Sequence, residues 1–476
     1  MGRARAGYLV ALYGLLLAAA WSADAIAGAG LHRSGRWFAY EGRPVYLVGF
    51  DVQELACNPA LDYERALDEL ARYRLNKVRI WTYCWFGTTR FGALTPWVRD
   101  ASGRHDLERF DERYWARVRD VVAAARKRRI FVEVTVFAPY PNRPGYWWGD
   151  PDVRNAWNAE HNVNGVFTTN AEGHFYPQFY DLDYAERGKR LRDYQRALVE
   201  KTVSELGAFD NVYFEIANEF AVEGWGAPAG AIERIYPWQR HWARAAAALT
   251  DRPIGVHADA DGKGKGARYY ADEPAVDVLN FRLPESTPEE IGERLRPFLR
   301  SGRILAINEA PFDFHQDLDG ATRYAWAMFL SGGHFAAYED DVARIGSPQW
   351  RAMAKRLQVL RETAESVDFR KLSPVDRRGR PYDRLIRQAP AAGSRMMADP
   401  GRAYIAWFWG RPAGTPLVLK LPGGRYVYRW QDARDGRVLR KGSVEGGGIR
   451  SIAPPPAGAW QEGSGVVLAI RAVSTR

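Results

Sequence analysis

Eight times between Pro44 and Asp340 the sequence runs through one pattern: a short apolar, β-rich run, a loop, and an amphipathic helical stretch. The runs are "PVYLVGF" from Pro44, "KVRIWTY" from Lys77, "IFVEVTVF" from Ile130 and "NVYFEIANE" from Asn211. They continue with "PIGVHA" from Pro253, "VDVLNF" from Val276, "ILAINEA" from Ile304 and "HFAAYED" from His334. Helical patterns such as "YERALDELARYRL", "YWARVRDVVAAARKRR" and "YQRALVEKTVSEL" lie between them. Apolar strands alternating with helices predict a parallel sheet covered by helices. Eight such units is the number that closes a (β/α)8 TIM barrel. An open doubly wound sheet is the alternative, but no Gly-rich phosphate loop follows the first run.

From about Pro390 the texture changes. Short β-rich runs ("AYIAWFWG", "PLVLKL", "RYVYRWQD", "GVVLAIRAV") alternate with Gly and Pro turns, and helical periodicity disappears. This predicts a small all-β sandwich over residues 389–476, behind a barrel spanning 30–388. At the front of the barrel, "RWFAYEGRPVYLV" alternates around Glu41-Gly42, a tight hairpin signal. Residues 1–27 read as an export signal. Arg3 and Arg5 precede the apolar "YLVALYGLLLAAA", and "ADA" and "AIA" offer small-x-small cleavage sites. The expected destination is periplasmic or extracellular; the apolar run is too short for a comfortable membrane span, and no second run approaches one. In an oxidising compartment Cys57 and Cys84, each shortly after one of two consecutive runs, are either a disulfide or two buried thiols.

Charge excludes one class of partner. The balance is 67 basic against 57 acidic residues, net +10. The basic residues are dispersed, and the longest cluster, Arg126 to Arg129, ends a helical pattern where cations suit the dipole. No basic stripe or nucleic-acid motif is present, so nucleic acid is not an expected partner. Histidines are scattered without metal-ligand spacing, and neither a Gly-x-Ser-x-Gly elbow nor a cofactor motif occurs. No metal or cofactor is expected. Aromatics make up 13% of the chain, with 18 Trp and 24 Tyr, many of them in Gly/Pro/Asn-rich loops. That suits a ligand with apolar faces and polar edges, such as a sugar ring, or else loops packed on a large scaffold.

The chemistry concentrates in two strand ends, "EIANE" at Glu219 and "LAINE" at Glu309, on the fourth and seventh runs. In a TIM barrel the C-terminal ends of the strands carry the active site. Period-two alternation pairs Ala217 with Glu219 and Ile307 with Glu309, which would point both glutamates at the barrel mouth. Two carboxyl groups across a cleft are what glycosidic cleavage needs: one protonates the leaving oxygen, the other attacks the anomeric carbon. Glu215, two alternations below Glu219, would sit inside the barrel and needs a buried partner, for which Arg79 in "KVRIW" is the natural candidate.

At these residues the sequence resembles clan A glycoside hydrolases. Their signature is Asn-Glu closing strand four, with the acid/base glutamate, and a nucleophilic glutamate closing strand seven. The resemblance implies Asn218 as a ligand for the sugar 2-hydroxyl, Glu219 as acid/base, Glu309 as nucleophile, and Arg79 as the strand-two arginine that keeps Glu309 charged. "GRWFAYEGRPVYLVGFDVQEL", "WNAEHNVNG" and "FYDLDYAERGKRLRDYQRALVEKTVSELGAFDNVYFEIANE" look like a bacterial subgroup of that clan. The closing "MADPGRAYIAWF" and "YVYRWQDARDGRV" resemble its appended β-sandwich, sometimes labelled collagen-binding-like. Phe220 stands where many members have Pro, and Tyr338 where many place a Trp platform. The resemblance also implies a His or Tyr near the nucleophile, for which His257 is the nearest candidate.

Two loops complete the expected cleft. The loop from about Pro139 to Leu182 holds Tyr140, Tyr146, Trp147, Trp148, Trp157, His161 and Asn162. The loop after the second run adds Trp85, Phe86 and Trp97. Long loops in compact domains are usually functional, so these form either a glycan-binding wall or a self-packed lid. The reading is an exported retaining β-glycoside hydrolase with a carbohydrate substrate. A non-catalytic glycan-binding adhesion protein on the same scaffold is the alternative, as is a transglycosylase using the same residues.

Overall fold

The computed structural model describes residues 30–82, 92–137, 156–166, 177–218, 231–258, 265–283, 287–309, 313–339, 342–456, 458–460 and 462–473. Eight parallel strands close a barrel. They are β1 (Val48–Asp51), β2 (Lys77–Trp81), β3 (Phe131–Phe137), β4 (Val212–Ala217), β5 (Ile254–His257), β6 (Val278–Asn280), β7 (Ile304–Ile307) and β8 (Gly333–Tyr338). Each pairs with the next in chain order, and β8 returns to β1 through the register Phe335 to Val48 and Tyr338 to Asp51. The described helices are α1 (Tyr63–Arg72), α2 (Glu112–Lys127), α3 (Leu191–Leu206), α4 (Ala231–Ala247), α5 (Lys265–Tyr270), α6 (Pro288–Leu295), α7 (Leu318–Leu330) and α8 (Pro348–Glu365). Starts are set locally. Asp62, Asp111, Asp317 and Ser347 cap exposed N–H groups with their side chains, and Thr287 with Glu290 forms a reciprocal capping box.

Period-two alternation sorts the strand residues. Val78, Ile80, Val132, Val134, Phe214, Ile216, Leu305 and Ile307 join the large apolar core shared with the helices. Lys77, Arg79, Glu133, Thr135, Glu215, Asn280 and Asn308 are buried and polar. They bond across the barrel to strands that are not neighbours, which only inward-pointing side chains can do. The inner face thus carries a charged, hydrogen-bonded column instead of layers of branched apolar residues.

The first barrel strand is shorter than the sequence run suggests. Arg43–Val45 pairs antiparallel with Trp37–Tyr40, and these join His32–Ser34 in a separate three-stranded sheet. The backbone changes ladder at Tyr46-Leu47, and the Asn76 amide bridges the gap. It donates to the Tyr46 carbonyl (3.0 Å) and accepts from the Val48 N–H (3.1 Å). The expected tight turn is present, with Glu41 (φ 51°) and Gly42 (φ 71°) both left-handed. This small sheet floors the barrel: Leu31, Phe38 and Leu47 pack with Phe131, Tyr213, Val278 and Ile304 at the N-terminal strand ends.

Gly49 marks the tightest approach between β1 and β2. A Cβ there would lie 1.9 Å from the carbonyl oxygen of Lys77, a backbone atom that cannot swing away. Gly49→Ala is therefore expected to cost about 1–3 kcal/mol or more and lower the thermal midpoint, a loss that scanning calorimetry reads directly.

The C-terminal sandwich has a three-stranded sheet, β9 (Ile386–Gln388), β12 (Leu417–Leu421) and β15 (Gly448–Ile452), in the order β9-β12-β15. The second sheet runs β10 (Ala391–Asp399), β11 (Ala403–Pro412), β16 (Val466–Ala472), β13 (Arg425–Asp432), β14 (Val438–Glu445). Tyr404, Phe408, Tyr426, Trp430 and Leu468 form the sandwich's own core, whereas Met397, Ile405, Trp407 and Val467 join the barrel core. The larger sheet therefore covers the barrel's flank. Arg323 of α7 fastens it by donating to the Gly463 carbonyl (2.9 Å).

Candidate active site

The site is built around Arg79, fully buried on β2. Its Nε and Nη2 both donate to Glu215 Oε2 on β4 (3.0 and 2.5 Å), the pairing expected from the sequence. Nη2 also donates to Asn218 Oδ1 (2.5 Å), and Nη1 to Asp51 Oδ2 at the end of β1 (2.8 Å). Below this layer Lys77 pairs with Glu133 (3.0 Å), both fully buried. Glu133 further accepts from the Tyr213 hydroxyl (2.7 Å) and from Asn280 (3.1 Å), and Asn308 donates to it as well. Buried charges persist only when paired and hydrogen-bonded, and this column meets that requirement for Glu133 and Glu215.

Glu309 stands at the rim. Strict alternation from Ile307, which packs outward, would send Glu309 outward too. The strand ends at Ile307, however, and the chain bends at Asn308-Glu309. Glu309 thereby reaches over the mouth: Asn218 Nδ2 donates to its Oε2 (3.2 Å), and Arg79 Nη1 lies 3.7 Å from the same oxygen. Burial pushes the Glu309 carboxyl above its ordinary range, while Arg79, Arg282 and the Asn218 hydrogen bond hold it down. The balance stays above the usual value, so Arg79 moderates the rise without reversing it. The side chain is 21% exposed, and water at the mouth relieves part of the burial.

The other expected residues have different outcomes. Glu219, Trp85, Trp148 and Cys84 lie outside the described residues. Asn218 joins the site as above. His257 ends β5, buried, with its main chain gripped by Gln239: its N–H donates to Oε1 (3.0 Å) and its carbonyl accepts from Nε2 (3.1 Å). Tyr338 ends β8, half-buried, as register partner of Asp51. Cys57 is disulfide-bonded.

The described parts of the two loops follow the self-packed reading. Asn162 is 1% exposed, and its amide donates to the carbonyls of Ala156, Asn158 and Val166 and accepts from the Val166 N–H. It closes its own loop and offers no free donor to a sugar. Trp97 and Trp157 are likewise buried, edge to face at 5.2 Å, and Trp157 packs on Phe137 and Phe179. These rings are core.

Sequence reasoning missed Asp51, Lys77, Glu133, Asn280 and Asn308. The signal for the last four was present: polar residues at alternate positions of otherwise apolar runs, as in "KVRIW", "FVEVTVF" and "AINE". Asp51 directly follows its run and resembles the start of a loop. Among the described residues no group of acidic, His or Cys side chains is arranged to hold a metal ion. No described helix is long and apolar enough to cross a membrane.

Fold and rim together define a TIM barrel whose mouth presents a carboxylate held by an asparagine and an arginine. The sequence matches no family model and no curated protein. Solved structures share the architecture. One described as a glycoside hydrolase has TM-score 0.62 at 13% identity, covering 95% of this chain and 99% of its own. A glycoside hydrolase family 5 protein from Bacteroides vulgatus gives 0.62 at 12%, covering 94% of each chain. A GH30 endoxylanase from Clostridium papyrosolvens gives 0.50 at 9%, covering 94% and 98%. At such identities the likeness establishes the fold, barrel and appended β domain together.

Proposed function

We propose that this chain is an exported, retaining glycoside hydrolase that cleaves β-linked sugars. The observation that supports it best is the setting of Glu309: at the C-terminal mouth of the barrel, with Asn218 and Arg79 both directed at Oε2. That leaves Oε1 to face the anomeric carbon. Glu309 attacks and forms a glycosyl ester while Glu219 protonates the departing oxygen; Glu219 then draws a proton from the water that hydrolyses the ester. Asn218, beside Glu309, is placed to meet the sugar 2-hydroxyl, a contact that strengthens in the transition state. Asn280 and Asn308 hold the Glu215 carboxylate from the other side, so the guanidinium is fixed before substrate arrives.

The test is a panel of plant, fungal and bacterial polysaccharides offered to the mature protein, Glu219→Gln and Glu309→Gln, with products read by mass spectrometry and anomer by NMR. One glycan cleaved with retention by the wild type alone is the expected result. Tight binding by all three proteins without cleavage would replace the proposal with the adhesion reading. Products longer than the substrate would mark a transglycosylase.

A further inference from the structure

Four carboxylates and two cations meet inside the barrel, and they do not balance. Lys77 is matched by Glu133 and two nitrogens of Arg79 by Glu215. What remains is the single Nη1 edge of Arg79, facing Asp51 Oδ2 at 2.8 Å and Glu309 Oε2 at 3.7 Å. The two carboxyl oxygens are thus no farther apart than those distances together. We infer that Asp51 and Glu309 carry one negative charge between them, so that Asp51 keeps its proton whenever Glu309 has lost its own.

The surroundings of Asp51 support this division. It is fully buried, and among the described residues its Oδ1 has no hydrogen-bond partner, a costly state for an ionised carboxylate. Gln53 Nε2 at 3.3 Å is the other side-chain donor on Oδ2. From β8, Tyr338 is its register partner, and Glu339 donates its N–H to the Asp51 carbonyl while its carboxylate pairs with His315 (2.9 Å). Among the described residues, then, no second cation pairs with Asp51. Burial first, and the Glu309 charge in addition, push its carboxyl up to about 7 against the pull of Arg79. Glu309 has further help from Arg282 and Asn218 and opens onto water. Two like charges sharing one site titrate in two separated steps.

The consequence for catalysis rests on the reading of Glu309 as nucleophile. When its oxygen bonds to the anomeric carbon and the bond to the leaving oxygen breaks, with the Glu219 proton going to that oxygen, Glu309 loses its charge. Asp51 then releases its proton to water and becomes the anion on Arg79; hydrolysis of the ester restores both. The guanidinium keeps a partner throughout, and Asp51 acts as a positioning residue through it.

Glu309→Gln reproduces that loss of charge without any substrate, so the inference can be tested apart from activity. The carboxyl carbons of aspartate-labelled mature protein are followed by NMR from pH 4 to 9, and Asp51→Asn identifies the resonance. The expected result is an Asp51 inflection near neutrality in the wild type, moved down by roughly one to two pH units in Glu309→Gln. An inflection at the same pH in both proteins, or an Asp51 already ionised at pH 5 in the wild type, would overturn it. Should no glycan be cleaved while the inflection moves, the charge sharing stands and only the glycosidase proposal falls.

Discussion

Glu309→Ala should lower kcat roughly 10^4-fold or more while leaving substrate affinity within a few-fold. The substitution removes the atom that bonds to the anomeric carbon, and the cradle of Asn218 and Arg79 remains without its anion. Azide fits the space left behind, carries the missing charge, and needs no general base. Added azide should therefore restore turnover and give a glycosyl azide of inverted configuration, since one displacement replaces two. Stopped assays with product NMR check both halves. Full activity in Glu309→Ala, or rescue with retained configuration, would remove Glu309 from the nucleophile's role.

Arg79→Leu is the second large effect, and it falls on folding. Leucine fills part of the volume but takes hydrogen bonds away from Asp51, Glu215, Thr135 and Asn218 at once. Breaking one buried ion pair from one side costs about 3–5 kcal/mol, because the abandoned charge stays in a poor solvent. Here Glu215 and Asp51 both lose the cation that each pairs with among the described residues. The variant should be soluble only at reduced temperature, or recovered with a strongly lowered thermal midpoint. A second substitution, Glu215→Gln, should return part of the loss by removing the charge that has nothing left to pair with. A midpoint for Arg79→Leu within a few degrees of wild type would show that the column is not the support its geometry implies.

The barrel was legible because its evidence is local. Eight β-rich runs, each followed by a helical period, leave few closed topologies, and all eight lie in the barrel. Glu215 was legible for a similar reason: a carboxylate within an apolar run needs a partner, and Arg79 was one of few buried cations on offer. The failures are tertiary. Asp51 looks like the first residue of a loop until β2 and β8 close around it. Asn308 and Lys77 are 231 positions apart and acquire meaning only across the barrel. The aromatic loops fail differently. Composition does not distinguish a tryptophan facing a sugar from one turned inward, and Trp97 and Trp157 are turned inward. Glu309 itself reaches the mouth through a bend after Ile307 and not through the alternation that predicted it.

The small sheet under the barrel also bears on the order of folding. Leu31 donates to the Asp210 carbonyl (2.8 Å), Arg33 pairs with Asp277 (2.7 Å), Arg36 donates to the Leu372 carbonyl, and Trp37 meets Phe369 ring to ring. In synthesis these first residues precede every partner they need, the last by more than three hundred positions. Loops of that length carry an entropic cost that only the assembled strands can offset. The floor is thus made first and laid last. Nearly the whole barrel must be delivered before its opening hairpin has anywhere to go, and until then Phe38 and Leu47 remain uncovered.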